Sequence, residues 1–156
     1  MPTGTFVTDD GMVVPAVSAE TMREVDRFAI GEQAPNLFQM MENVGRSLAL
    51  TAIDHLGPGW RDVPIAVLAG RGGNGGGGIC AARHLANHGG DLMVVLAEPD
   101  RLSPVTQQQL RVYQRTSGRS GPSVPFRPGL ILDALIGYSL QGAPRGPGPG
   151  PDRIDG

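Results

Sequence analysis

Gly70-Arg71-Gly72-Gly73-Asn74-Gly75-Gly76-Gly77-Gly78 stands between the apolar run Ile65-Ala66-Val67-Leu68 and the helix-like Ile79-Cys80-Ala81-Ala82-Arg83-His84-Leu85, so the chain reads strand, glycine turn, helix. Glycines let a backbone approach a ligand closely, and free amides at a helix start point toward negative charge, which suits a nucleotide's phosphates. Gly70-x-Gly72-x-x-Gly75 satisfies the dinucleotide-binding pattern, although almost any pattern written in glycines would match here. The context adds weight: a second apolar run, Leu92-Met93-Val94-Val95-Leu96, follows at the distance a right-handed βαβ unit requires. The alternative is a tight strand-to-helix turn without a ligand.

On the N-terminal side, residues 1–17 read as a loose leader and the domain as residues 18–156. Ser18 caps a first helix bearing Met22, Val25 and Ala29 at helical spacing, and Gly31 to Pro35 breaks it. Asn36 caps a second helix, whose face is Leu37, Met40, Met41, Val44 and Leu48, and Gly57-Pro58-Gly59 closes it. Beyond the glycine turn the pattern predicts a helix over 79–88, the strand 92–96 and a helix over 104–116 introduced by Ser103-Pro104. A short strand around Val124-Pro125-Phe126 and a buried one in Gly129 to Gly137 follow. The order implies an α/β fold, an open, mainly parallel, Rossmann-like three-layer sheet with two N-terminal helices.

Composition excludes several chemistries. The chain has 156 residues, room for one domain with a real core. Its formal charge is −2, with acids and bases scattered, so no basic stripe marks a nucleic-acid partner. All 13 basic side chains are Arg; without Lys there is no Walker-type phosphate lysine and no Schiff-base lysine. A single cysteine, Cys80, precludes an internal disulfide and a multi-cysteine zinc site, and its helix of small apolar residues predicts a buried hydrophobe. No stretch approaches membrane-spanning length, and a cytoplasmic protein is the expectation.

Four polar positions are candidates for function. Asp133 lies near the carboxyl end of an apolar strand, where open parallel sheets gather ligand contacts, so it and the glycine turn should face one crevice. A carboxylate there needs a cation, an amide or a ligand hydroxyl; the alternative is an aspartate capping its loop. His84 and His88 have the spacing of a two-histidine metal site but lack an evident third ligand, and a solvated helix end explains them as well. Glu98 follows the second strand, about where a dinucleotide fold holds a ribose hydroxyl, and it equally suits a polar loop before Pro99.

Three segments in order resemble one family, the NAD(P)H-hydrate epimerases or YjeF N-terminal domains. Met41-Glu42-Asn43-Val44-Gly45 resembles the family's Met-Glu-Asn-Ala-Gly helix. Ala69 to Gly78 with Ala81-Ala82-Arg83-His84-Leu85 resembles its Gly-Pro-Gly-Asn-Asn-Gly-Gly-Asp-Gly loop and Ala-Ala-Arg-His-Leu helix. Asp133-Ala134-Leu135-Ile136-Gly137, with Gly142 and Arg145-Gly146-Pro147, resembles its Asp-Ala-Leu-Phe-Gly strand end and Arg-x-Pro turn.

The resemblance implies an enzyme interconverting the two epimers of hydrated NADH or NADPH, a damaged cofactor in which water has added to the nicotinamide ring. It implies a potassium ion held with the help of Asn74 and Asp133, and substrate contacts from Gly73, Asn74, Gly75, Gly76 and Gly77 and from Gly137, Tyr138, Ser139, Leu140, Gln141, Gly142 and Ala143. Partners are then the small-molecule substrate, with no nucleic acid or membrane, and a homodimer is a candidate assembly. Gly73 and Gly77 replace an asparagine and an aspartate of the family loop. The family's catalytic aspartate belongs to an Asp-Ile-Pro-Ser-Gly motif expected beyond Gly156, so no residue here is assigned that role. The rival expectation is an inert module that binds a nucleotide-like ligand or a protein partner.

Overall fold

The computed structural model describes residues 5–31, 36–138, 140 and 142–143. Within the segment expected to be a loose leader, β1 (Thr5–Val7) and β2 (Val13–Pro15) pair as an antiparallel hairpin. Two helices follow, α1 (Ala19–Gly31) and α2 (Leu37–Leu56). Both begin where the sequence places their caps: Ser18 Oγ accepts from Thr21 N–H at 3.1 Å. Asn36 and Gln39 form a reciprocal capping box.

The remaining elements are β3 (Ile65–Ala69), α3 (Gly73–Asn87), β4 (Leu92–Leu96), α4 (Pro104–Tyr113), β5 (Arg119–Gly121) and β6 (Leu130–Ala134). Their strands form one four-stranded sheet in the order β5-β4-β3-β6, and every pairing is parallel. Successive crossovers through α3 and α4 step in one direction from β3, whereas β6 lies on its other side. The connections therefore reverse direction between β3 and β6, the place where open α/β sheets bind ligands.

Three expectations are corrected. The helix after β3 starts at Gly73, not at Ile79, so the turn proper is only Gly70 to Gly72. Glycines resist helix formation by about 1 kcal/mol each relative to alanine, but here tertiary packing decides, because Gly75 to Gly78 are all buried. The strand expected at Val124 to Phe126 is instead Arg119–Gly121, too polar and short to show as an apolar run. It is tied to α4 by the buried Tyr113, whose hydroxyl donates to Arg119 O at 2.8 Å. The third correction concerns α2: Val44 is exposed, and the buried positions are Gly45, Ala49 and Ala52.

That last exchange of large for small residues has a steric cause. The core gathers Ile65, Val67, Ile79, Leu85, Leu92, Val94 and Leu132 around α3, and α2 packs on the outer side of that helix. Gly45 lies so close to α3 that an added Cβ would be driven into Cys80 Sγ and come within 2.5 Å of its Cβ and 2.9 Å of its backbone carbon. Gly45→Ala should therefore lower stability by about 1–3 kcal/mol through overpacking, against a helix-propensity gain of at most about 1 kcal/mol. Gly73→Ala, in open space at the start of α3, should be neutral or slightly stabilising. Urea melts of the two variants check the contrast.

Candidate functional site

At the carboxyl end of the sheet three strand ends are stitched together by backbone. Gly70 N–H donates to Ala134 O and Ala97 N–H to Ala69 O, each at 3.0 Å. Side chains are excluded between them: a Cβ on Gly70 would overlap the Leu135 carbonyl, and one on Gly75 would overlap the backbone of Gly70. The glycine turn is thus pressed against the segment that follows β6.

Asn74 crosses the resulting seam, its Nδ2 donating to Ile136 O at 3.0 Å. Gly137 sits against the same side chain, with room for a Cβ only 3.3 Å from Asn74 Cβ. Asp133 is exposed, and one of its oxygens accepts from Leu135 N–H at 3.0 Å. It caps the loop and also stands at the crevice, so an amide is the partner its position called for. Asn74 and Asp133 therefore lie at one end of the sheet and grip neighbouring backbone groups, Ile136 O and Leu135 N–H.

The other expected contact residues separate into groups. Gly73 is exposed in open space, whereas Gly75, Gly76 and Gly77 are buried within the first turns of α3. Gly76 faces Thr106 of α4 and Gly77 faces Val44 of α2, so what these glycines can offer a ligand is backbone. Gly137 is half-buried; Tyr138 turns away to hydrogen-bond Asp26 of α1. Leu140, Gly142 and Ala143 are exposed, Gly142 with a left-handed φ of +79°. Ser139, Gln141 and the Arg145-Gly146-Pro147 turn lie outside the described residues.

Across the turn from Asp133, Glu98 is flanked by Arg71 at 3.7 Å and Arg101 at 3.0 Å. It is neither an isolated loop residue nor a bare carboxylate.

Sequence spacing missed a polar cluster between α2 and α3. His84 is not a solvated helix end: its Nε2 lies 2.9 Å from Glu42 Oε1. His88, by contrast, is exposed, with its Nδ1 2.7 Å from His84 O. The ligand atoms of Glu42, Cys80 and His84 fall within 4.8 Å of one another, a metal-like grouping. Arg83 already occupies it, with Nη2 2.5 Å from Glu42 Oε2, 3.4 Å from Cys80 Sγ and 3.3 Å from His84 Nε2. A guanidinium there supplies the cation that the carboxylate needs. No periodicity could reveal this, because the partners are separated by 41 residues. Cys80 is fully buried as expected, and burial pushes its thiol pKa up, away from a nucleophile's range.

Comparison with known proteins accords with this geometry. A family model described as "YjeF-related protein N-terminus" matches residues 37–148. The chain belongs to this family. It is 48% identical over 144 residues to an NAD(P)H-hydrate epimerase of Dehalogenimonas lykanthroporepellens, covering 90% of this chain and 59% of the relative. It is 33% identical over 157 residues to the bifunctional NAD(P)H-hydrate repair enzyme Nnr of Salinibacter ruber, covering 88% of this chain and 29% of that one. The crystal structure of yeast YNL200c superposes with a TM-score of 0.71 at 25% identity, over 84% of this chain and 60% of the yeast chain. The YjeF N-terminal chain described here thus spans less than two thirds of each of these relatives. Among the described residues no helix is long and apolar enough to cross a membrane.

The α2–α3 cluster makes stability depend on pH. Burial first, and then the Arg83 charge, hold His84 below its ordinary value, with Glu42 pulling the other way. Burial works against ionisation of Glu42, but the Arg83 hydrogen bond and the Arg83 and His84 charges outweigh it and hold the carboxyl low. For both groups the unfolded chain binds protons more readily, so stability falls as pH drops. The His84 part is lost below about pH 6.5 and the Glu42 part below about 4.5. The urea midpoint should fall between about pH 7.5 and about 5.5, and His84→Gln should flatten that slope.

Proposed function

We propose that the crevice between the glycine turn and the segment after β6 binds hydrated NADH or NADPH and serves the interconversion of its epimers. The observation that carries the reading is the Asn74 to Ile136 hydrogen bond, which joins the family's loop and strand-end motifs at the point where the sheet's connections reverse. Free amides at the start of α3 suit the pyrophosphate of a dinucleotide. The epimerase and repair-enzyme names of the relatives support the same substrate class.

The oxygen donors suit the potassium ion that the resemblance implies. With Nδ2 of Asn74 turned to Ile136 O, its amide oxygen and the Asp133 oxygen not given to Leu135 have no hydrogen-bond partner among the described residues and suit a cation. Carboxylate and amide oxygens are the ligands that hard cations take, and no sulfur or imidazole belongs to this pair. Asn74 and Asp133 would hold the ion, which when bound supplies positive charge beside a phosphate or a ring hydroxyl. The chain's own part is to cradle the phosphates on backbone and to orient the hydrated ring toward Asp133. Asp133 and Glu98 are the crevice carboxylates, and the resemblance gives neither the acid–base duty.

A second reading, a binding module without turnover, is favoured by Gly73. It stands in open space where the family loop carries an asparagine, so one polar contact is missing. Two measurements separate the readings: calorimetric binding of hydrated NADPH, and chromatographic resolution of its epimers over time. Binding should weaken about tenfold in Asn74→Ala and in Asp133→Ala, the effect of one charge-assisted hydrogen bond, and should weaken when tetramethylammonium replaces potassium. Binding with faster epimer exchange supports the enzyme, and binding alone supports the module. No binding at millimolar ligand overturns both.

A further inference from the structure

The residues around Glu98 bear on which dinucleotide the crevice takes. The glycine turn leaves β3 in the middle of the sheet, with β6 on one side and β4 on the other. Asn74 and Asp133 belong to the β6 side. On the β4 side, Glu98 follows the strand end, and its two oxygens meet different arginines. Oε1 lies 3.7 Å from Arg71 Nε, and Oε2 lies 3.0 Å from Arg101 Nη1. Backbone holds these residues in register: Arg101 N–H donates to Glu98 O at 3.1 Å, and Ser103 N–H donates to Arg71 O at 2.9 Å.

A dinucleotide lying on a turn of this topology extends both ways, with the adenosine ribose at the end of the second strand and the nicotinamide across the reversal. A bare carboxylate at the second strand end accepts the ribose 2′-hydroxyl and repels a 2′-phosphate, whereas an arginine there accommodates the phosphate. Here one carboxylate faces two guanidiniums, so the group is net positive. Both arginines are exposed and Glu98 is half-buried, and solvent-accessible ion pairs of this kind add little to stability. Stability therefore does not account for their arrangement.

We propose that Arg71 and Arg101, positioned by Glu98, recognise the 2′-phosphate of the adenosine ribose, so that the crevice prefers the phosphorylated dinucleotide, hydrated NADPH, over hydrated NADH. This rests on the dinucleotide reading of the crevice. The test is calorimetric titration of the chain with NADP⁺ and, separately, NAD⁺ at low ionic strength. NADP⁺ should bind at least about tenfold more tightly, the effect of one charge-assisted contact. Arg71→Ala and Arg101→Ala should each cut that ratio severalfold while leaving NAD⁺ binding unchanged, and the double variant should bring it near one. Glu98→Gln, which releases both guanidiniums from their ion pairs, should also lower the ratio. Arg111→Ala, which removes an equal charge on α4 where Arg111 bonds Gln108, should change neither. Thermal melts confirm that each variant is folded. Equal binding of both dinucleotides, tighter binding of NAD⁺, or a ratio insensitive to both arginines overturns the assignment and leaves the crevice reading standing. Failure of both dinucleotides to bind removes the crevice reading and this inference together.

Discussion

Backbone packed directly on backbone at the reversal of the sheet is the constraint on which the rest of the structure depends. Gly70 lies against the Leu135 carbonyl and Gly75 lies against Gly70, with no space for a Cβ in either gap. This close approach brings the start of α3 beside the end of β6, and so joins two segments some 60 residues apart in the chain. The glycine run is often read as a phosphate cradle. Its first duty here is steric, and any ligand site is a consequence of the same closeness.

A second layer of close packing supports the first. α3 carries those glycines and is held from outside by α2, whose buried stripe is Gly45, Ala49 and Ala52. Small residues bring the two helices near enough for Glu42, Cys80, Arg83 and His84 to form one hydrogen-bonded group. The cluster has the composition of a metal site and the electrostatics of an ion pair, because the guanidinium already sits among the ligands. Burial of Cys80 and the carboxylate at its side keep the thiol protonated. The motif that marks the family on α2 therefore works here as a fastener between helices.

The sheet's carboxyl end offers two different environments on either side of one turn. Toward β6 it presents oxygen donors on the loop that Asp133 caps; toward β4 it presents a guanidinium pair around a carboxylate. A small anion would need only one of these. An elongated ligand with phosphates in its middle, a polar ring at one end and a charged ribose at the other would use both, which is the shape of a dinucleotide.

Much of this was legible in the sequence. Apolar runs located β3, β4 and β6; β3 and the start of β4 are buried, as continuous apolar runs imply, whereas β6, expected to be buried, is an edge strand with Ile131 and Asp133 exposed. Ser18, Asn36 and Ser103 marked helix starts, because capping is a local hydrogen bond. The pairing of the glycine turn with Asp133 followed from the rule that both follow strand ends. Tertiary structure alone decided the rest. Residues 73–78 became helix because neighbouring elements needed the missing side chains of Gly75 to Gly78, and a propensity scale counts only the cost. Arg119–Gly121 became a strand because β4 and Tyr113 supply its partners, with nothing apolar of its own to signal it. His84 acquired Glu42, and Glu98 acquired Arg71, through contacts between elements distant in sequence. Composition and spacing can name the residues able to pair, but which of them meet is set by how closely two backbones can approach.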